Sequence, residues 1–281
     1  MTQIPGDNIG FTLGYKAGCS GLVGLTSVLG AAIGDSTLYD IDTTSGAATN
    51  PRQTGVDWAI AFSSDWSSGT LPVLDYNGLS TINLTTGLNG SQIALPPPFR
   101  YSVGGGGLTA DLTGILYAID SGGNLVEINA GIPKSLGSAW TPAQTWYATQ
   151  VTLGKFVPDP PIVPSTNPPL FGGLAFAQGN LWSIDVANGY LLELNLSGAV
   201  INGYPLRLFG ANSRYVDFIY GAAGLTYDPW TQTLYFTDGH NILYTLDWSG
   251  YLHKVTPLTG LPLGQNITAL TFMVGACQKR P

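Results

Sequence analysis

The chain has 281 residues, 44% of them hydrophobic and only 10% charged, with 38 glycines and 19 prolines as punctuation. A formal net charge of −7 and ten lysines and arginines scattered without a basic run exclude a phosphate-binding stripe, and with it a nucleic-acid partner. No apolar run approaches the ~18 residues of a membrane span, and the scarcity of helix-favouring Glu, Lys and Arg beside abundant Gly, Thr, Ser and Asn predicts an all-β chain.

The opening residues, Met1 to Asp7, carry neither the basic n-region nor the apolar h-region of a secretory signal. The expectation is a signal already removed, or assembly into a virus particle. Residues 1–18 are polar and stand outside the repeat that follows, which predicts an arm docking on a neighbour. Residues 19–281 read as one domain.

Within it the pattern Leu-x-x-(Ile/Leu)-(Asn/Asp), closed shortly afterwards by glycine, begins at Leu38, Leu79, Leu125, Leu191 and Leu243. Self-similarity at about 40–50 residues marks a propeller blade or a similar stacked unit. Second strands ending in aspartate precede four of the copies: Leu71–Asp75, Leu116–Asp120, Leu181–Asp185 and Leu234–Asp238. Short Gly/Asn turns separate them from the third strand, as in a hairpin. Upstream again come small-residue first strands, Ala59–Phe62, Gly107–Ala110, Gly173–Phe176 and Gly224–Tyr227, suited to a crowded position beside a central channel. The expected fold is a β-propeller of four-stranded blades.

Five copies favour five blades. A sixth blade would need Ile267 onward to pair with Phe11–Tyr15, or Thr145–Val151 to supply a strand. The widest gap, between Leu125 and Leu191, reads as an insertion at about 154–172, stiffened by Val157–Pro164 and Pro168–Pro169. The first blade lacks a first strand, while Ile267–Phe272 is surplus at the other end. Pairing it with Leu22–Thr26 closes the ring. The end of one antiparallel strand faces the beginning of the next, so this closure makes Cys19 and Cys277 neighbours and predicts a disulfide in an oxidising location.

The run Leu38–Thr49, and Gly173–Phe176 with Leu181–Asp185, resemble the blade repeat of bacterial and phage-encoded β-propellers. The wider resemblance, over roughly residues 20 to 277, is to the lactonase-like and NHL-type propellers. It implies a fold. Enzymes of the lactonase type hold a divalent metal at the channel mouth, so a Ca²⁺ ion in the channel belongs to the enzyme alternative, although no glutamate or paired Asn/Asp set here matches that motif.

The chemistry-bearing residues are few. Asp75, Asp120, Asp185 and Asp238 are expected to satisfy turn amides. His240 and His253 have no companion at zinc spacing, there is no Gly-x-Ser-x-Gly elbow, and Gly104–Gly107 precedes a strand rather than a helix. No catalytic or metal-ligating residue is assigned. The long connections between blades gather Arg100, Tyr101, Asp159, Arg214, Tyr215, Asp217 and Tyr220 on one side, a face rich in the residue types that dominate binding. Turns on the opposite face carry Trp66, Trp230 and Trp248, which suit stacking on glycans or burial against a subunit.

The function expected is a non-enzymatic binding or assembly module, virion-associated in phage structure or host attachment, or extracellular. Its partners would be other structural proteins or further copies through the arm, or glycans. The alternatives are a secreted lactonase- or lyase-like enzyme and a secreted lectin.

Overall fold

A computed structural model describes residues 21–27, 35–57, 59–63, 70–75, 78–83, 90, 92–99, 105–152, 169–208 and 224–272. In chain order the first strands are β1 (Leu22–Ser27), β2 (Asp35–Ile41) and β3 (Ala48–Asp57), then β4 (Ala61–Phe62), β5 (Thr70–Asp75) and β6 (Gly78–Asn83). Next come β7 (Gly106–Ala110), β8 (Leu116–Asp120), β9 (Asn124–Asn129), β10 (Ile132–Ser138) and a helix, α1 (Trp140–Thr152). After it run β11 (Phe171–Ala177), β12 (Asn180–Asp185), β13 (Tyr190–Leu194), β14 (Val200–Pro205) and β15 (Arg207–Leu208). The last are β16 (Gly224–Asp228), β17 (Thr233–Thr237), β18 (Ile242–Leu246), β19 (Tyr251–Pro257) and β20 (Asn266–Phe272).

Within each unit consecutive strands pair antiparallel, as short strands joined by tight turns do. β20 lies against β1, with Leu22 opposite Phe272, so one sheet runs β20-β1-β2-β3. A second runs β4-β5-β6, and Ile93 adds a bridge to Leu79 at its edge. The eight-stranded sheet splits into β7–β10 and β11–β14, joined by a parallel bridge between Gly106 and Gly172. The last sheet runs β16 to β19, with β15 parallel beside β19.

The inner strands touch in a cycle: β4 on β7, β7 on β11, β11 on β16, β16 on β20 and β20 on β4. Small residues allow this approach. A Cβ on Gly224 would stand 2.7 Å from the Leu270 amide nitrogen, so a larger residue there would push β16 off β20.

Apolar residues fill the gaps between neighbouring units. Leu125, Phe171, Leu174 and Leu194 pack between β7–β10 and β11–β14, while Trp182, Leu191, Phe236 and Leu246 pack between β11–β14 and β16–β19. Burying a large side chain of this kind stabilises by roughly 1.5–3 kcal/mol. The repeat motif follows from this layering. Its leucine and its Ile/Leu are three residues apart, hence on opposite faces of a strand. Leu38 packs towards the β4–β6 sheet and Ile41 towards β16–β19. Leu125 and Ile128, and Leu191 and Leu194, divide in the same way. Each copy of the motif therefore glues its unit to the one before and the one after.

The helix corrects one expectation. Thr145–Val151, considered as a strand of a sixth blade, lies inside α1, so the chain is nearly rather than wholly β. Ala139, Ala143 and Tyr147 recur at helical spacing and are all buried, and the Ser138 hydroxyl accepts a hydrogen bond from the Trp140 amide at 3.2 Å. A Cβ on Gly203 would stand 2.5 Å from the Trp146 ring, so the glycine lets the helix lie close against β14.

Candidate functional site

The C-terminal ends of the inner strands converge on a cavity of about 270 Å³. Ser63 follows β4, Leu108, Thr109 and Ala110 come from β7, and Leu174, Phe176 and Ala177 from β11. Thr226 and Tyr227 belong to β16, Thr271 and Phe272 to β20, and the turns add Leu112, Gln178, Gly179 and Pro229. All five inner strands thus reach it, on the side where first strands turn into second strands.

Alternation along the strands makes this lining. Two threonines point their hydroxyls at the next inner strand: the Phe176 amide donates to Thr109 Oγ1 and the Phe272 amide to Thr226 Oγ1, each at 3.0 Å. The ring of Phe176 stacks on Tyr117 of β8 at 6.3 Å between centroids, and that of Phe272 on Tyr235 of β17 at 6.4 Å. Burial raises the Tyr117 and Tyr227 hydroxyls above their ordinary range, and the neighbouring Asp111 and Asp228 carboxylates push them further. These phenols stay neutral at physiological pH.

Those two aspartates are engaged in their own turns. Asp111 Oδ1 accepts the Thr113 and Ile115 amides at 2.8 and 3.0 Å, and Asp228 Oδ1 accepts the Trp230 amide at 2.9 Å. The cavity wall itself, among the described residues, is hydroxyl, amide, methyl and ring. A small concave wall that mixes apolar groups with a few polar ones has the composition of a binding pocket.

Of the tryptophans marked in the sequence, Trp248 sits in an aromatic row. Its ring lies 4.9 Å from Trp182 of the preceding unit and 5.6 Å from Tyr227, which carries the row to the cavity wall. Trp230 is 56% exposed and follows Pro229 at the cavity's edge. Trp66 lies outside the described residues. So do Arg100, Tyr101, Asp159, Arg214, Tyr215, Asp217, Tyr220, Cys19, Cys277 and the arm at 1–18. The cavity was missed in the sequence, where its signal is the aromatic near the end of a small-residue strand: Phe176, Tyr227 and Phe272.

The strand-end aspartates stand at the far end of the second strands from the cavity. Asp75 Oδ1 accepts the Gly78 amide, Asp120 Oδ1 the Asn124 amide and Asp238 Oδ1 the His240 amide, at 2.8–3.0 Å. Asp185 is the most buried, with Tyr147 Oη donating to Oδ2 at 2.7 Å. His253 Nε2 and Asp247 Oδ2 stand 2.7 Å apart on the exposed β18–β19 turn. Among the described residues no three of His, Cys, Asp and Glu gather as a metal site would require.

With strands radiating outward from a cycle of inner strands, the architecture is decided. The fold is propeller-like. No family model and no curated protein matches the sequence. Solved structures similar to the chain include a chain of the nidogen–laminin complex, at 12% identity and a TM-score of 0.49, covering 91% of this chain and all of that one. The virginiamycin B lyase of Staphylococcus aureus is similar at 12% identity and a TM-score of 0.44, covering 85% and 71%. The glutaminyl cyclase of Myxococcus xanthus is similar at 17% identity and 0.46, covering 72% and 77%. At such identities the likeness is one of fold alone, and it spans enzymes and a protein of a complex alike.

Proposed function

We propose that this chain is a non-enzymatic binding or assembly module, virion-associated or extracellular, built as a five-bladed propeller whose ring is closed by its first and last strands. The observation that carries the binding reading is the preformed cavity where the inner strands converge, walled by rings, methyls and hydroxyls. The blade count is supported by the five antiparallel units around one cycle of inner strands. Closure is supported by the β20–β1 ladder. The low charge of the sequence and its Gly/Thr/Ser/Asn-rich strands support a place in phage structure or host attachment, with residues 1–18 as the arm that meets a neighbour.

The test is fractionation of a producing culture into cytoplasm, medium and purified particles, with the chain followed by a specific antibody. The expected result is recovery with the particles or from the medium. A chain confined to the cytoplasm overturns the reading.

A further inference from the structure

We infer that the channel-mouth cavity receives a large, uncharged, apolar side chain presented by a segment of another protein. The inference rests on the binding-module reading and gives that module's occupant a chemistry. At about 270 Å³ the cavity falls just below the ~300–1,000 Å³ of small-molecule pockets, which suits an inserted side chain better than a whole ligand. The hydroxyls of Thr109 and Thr226 each accept a backbone amide and hold the inner strands together, and between them the wall presents methyl groups and the rings of Phe176, Tyr227 and Phe272. A charged group would lose its water with no counter-charge in the described lining.

The rim points the same way. Leu112, a wall residue, is 77% exposed, and Trp230 beside Pro229 is 56% exposed. Two large, mostly exposed apolar side chains at the edge of a pocket without charged lining suit the centre of an interface, where a partner's anchor residue would be enclosed. The pocket also exists before binding. Phe176 and Phe272 are backed by Tyr117 and Tyr235, so little ordering is required when the anchor enters.

The experiment is panning of the full chain against a random linear peptide library, followed by affinity measurement on the enriched peptides. Enriched sequences are expected to carry Trp, Phe or Leu in an uncharged context. Leu112→Asp and Trp230→Ala should each weaken them about tenfold or more, the effect of removing an interface anchor. Leu263→Asp, a fully exposed position in the β19–β20 connection, should leave binding unchanged, and all three variants should melt with the parent. No enrichment, a charged consensus, or binding indifferent to both rim changes overturns the inference. Glucose, mannose, galactose and N-acetylglucosamine are titrated in the same assay, and displacement of the peptide by any of them at low millimolar concentration assigns the cavity to sugars instead. If peptides fail while the chain still partitions with particles, the docking inference falls alone. If they bind a chain confined to the cytoplasm, the localisation reading falls alone.

Discussion

Asp185 is wholly buried, with the amides of Leu170, Ala187 and Asn188 on Oδ1 and Tyr147 Oη and Asn188 Nδ2 on Oδ2. Burial pushes its carboxyl above the ordinary range, and the bonds from Asn188, Tyr147 and Leu170 recover only part of that. The folded chain then holds this proton more tightly than the unfolded chain. Its contribution to stability is fully present below the ordinary carboxylate range and is lost as pH rises through the raised value. Urea midpoints measured across that window should fall with rising pH, and Asp185→Asn should flatten this part of the profile. Tyr147→Phe removes a donor from a buried carboxylate and should cost about 1–3 kcal/mol at neutral pH, read by urea unfolding. An unchanged midpoint would show that this bond does not hold α1 to the sheet.

The repeat motif is an element-level device, and its closing glycine has two duties. Gly46, Gly131, Gly198 and Gly250 have φ between 75° and 85°, and Asp42, Asn195 and Asp247 accept the amides of Thr44, Ser197 and Ser249, ahead of their glycines. Gly250 also faces the preceding unit: a Cβ there would stand 2.5 Å from the Pro205 carbonyl oxygen. Gly264 has a similar φ of 83° and open space around it. Gly250→Ala should therefore cost about 2–4 kcal/mol, from conformation and contact together, whereas Gly264→Ala should cost about 1–2 kcal/mol from conformation alone. Equal losses in chemical denaturation would mean that the contact between units contributes nothing.

For the whole molecule, the longest-range pairing is the ladder between β1 and β20. The β1–β20 ladder ends at Leu22 opposite Phe272, so the segments leading to Cys19 and Cys277 leave from one end of the same pair. The cysteines themselves lie outside the described residues. In material from an oxidising compartment, peptide mapping without reductant should find them joined. Reduction should then lower stability by on the order of 5 kcal/mol in the loop-entropy account of a crosslink that closes so long a chain. Two free thiols in protein purified under mild conditions would remove the clamp and leave only the strand pairing to hold the ends.

The outer strands β3, β10, β14 and β19 were not placed in the sequence, while many of the inner strands, their turns and the pairing of β20 with β1 were legible there. Each rests on local periodicity: leucine and isoleucine three residues apart must face two neighbours, and a strand missing at one end matches a spare at the other. The helix was not legible, because Ala139, Ala143 and Tyr147 take their meaning from the sheet they cover. Nor was the cavity. Its residues come from five segments spread from Ser63 to Phe272, each ordinary by itself, and only the packing of the inner strands around one axis brings them together. Trp248 and Trp230 looked alike as turn tryptophans. Packing against Trp182 half-buries Trp248 while Trp230 stays 56% exposed, a difference set by which side chains surround each ring in three dimensions.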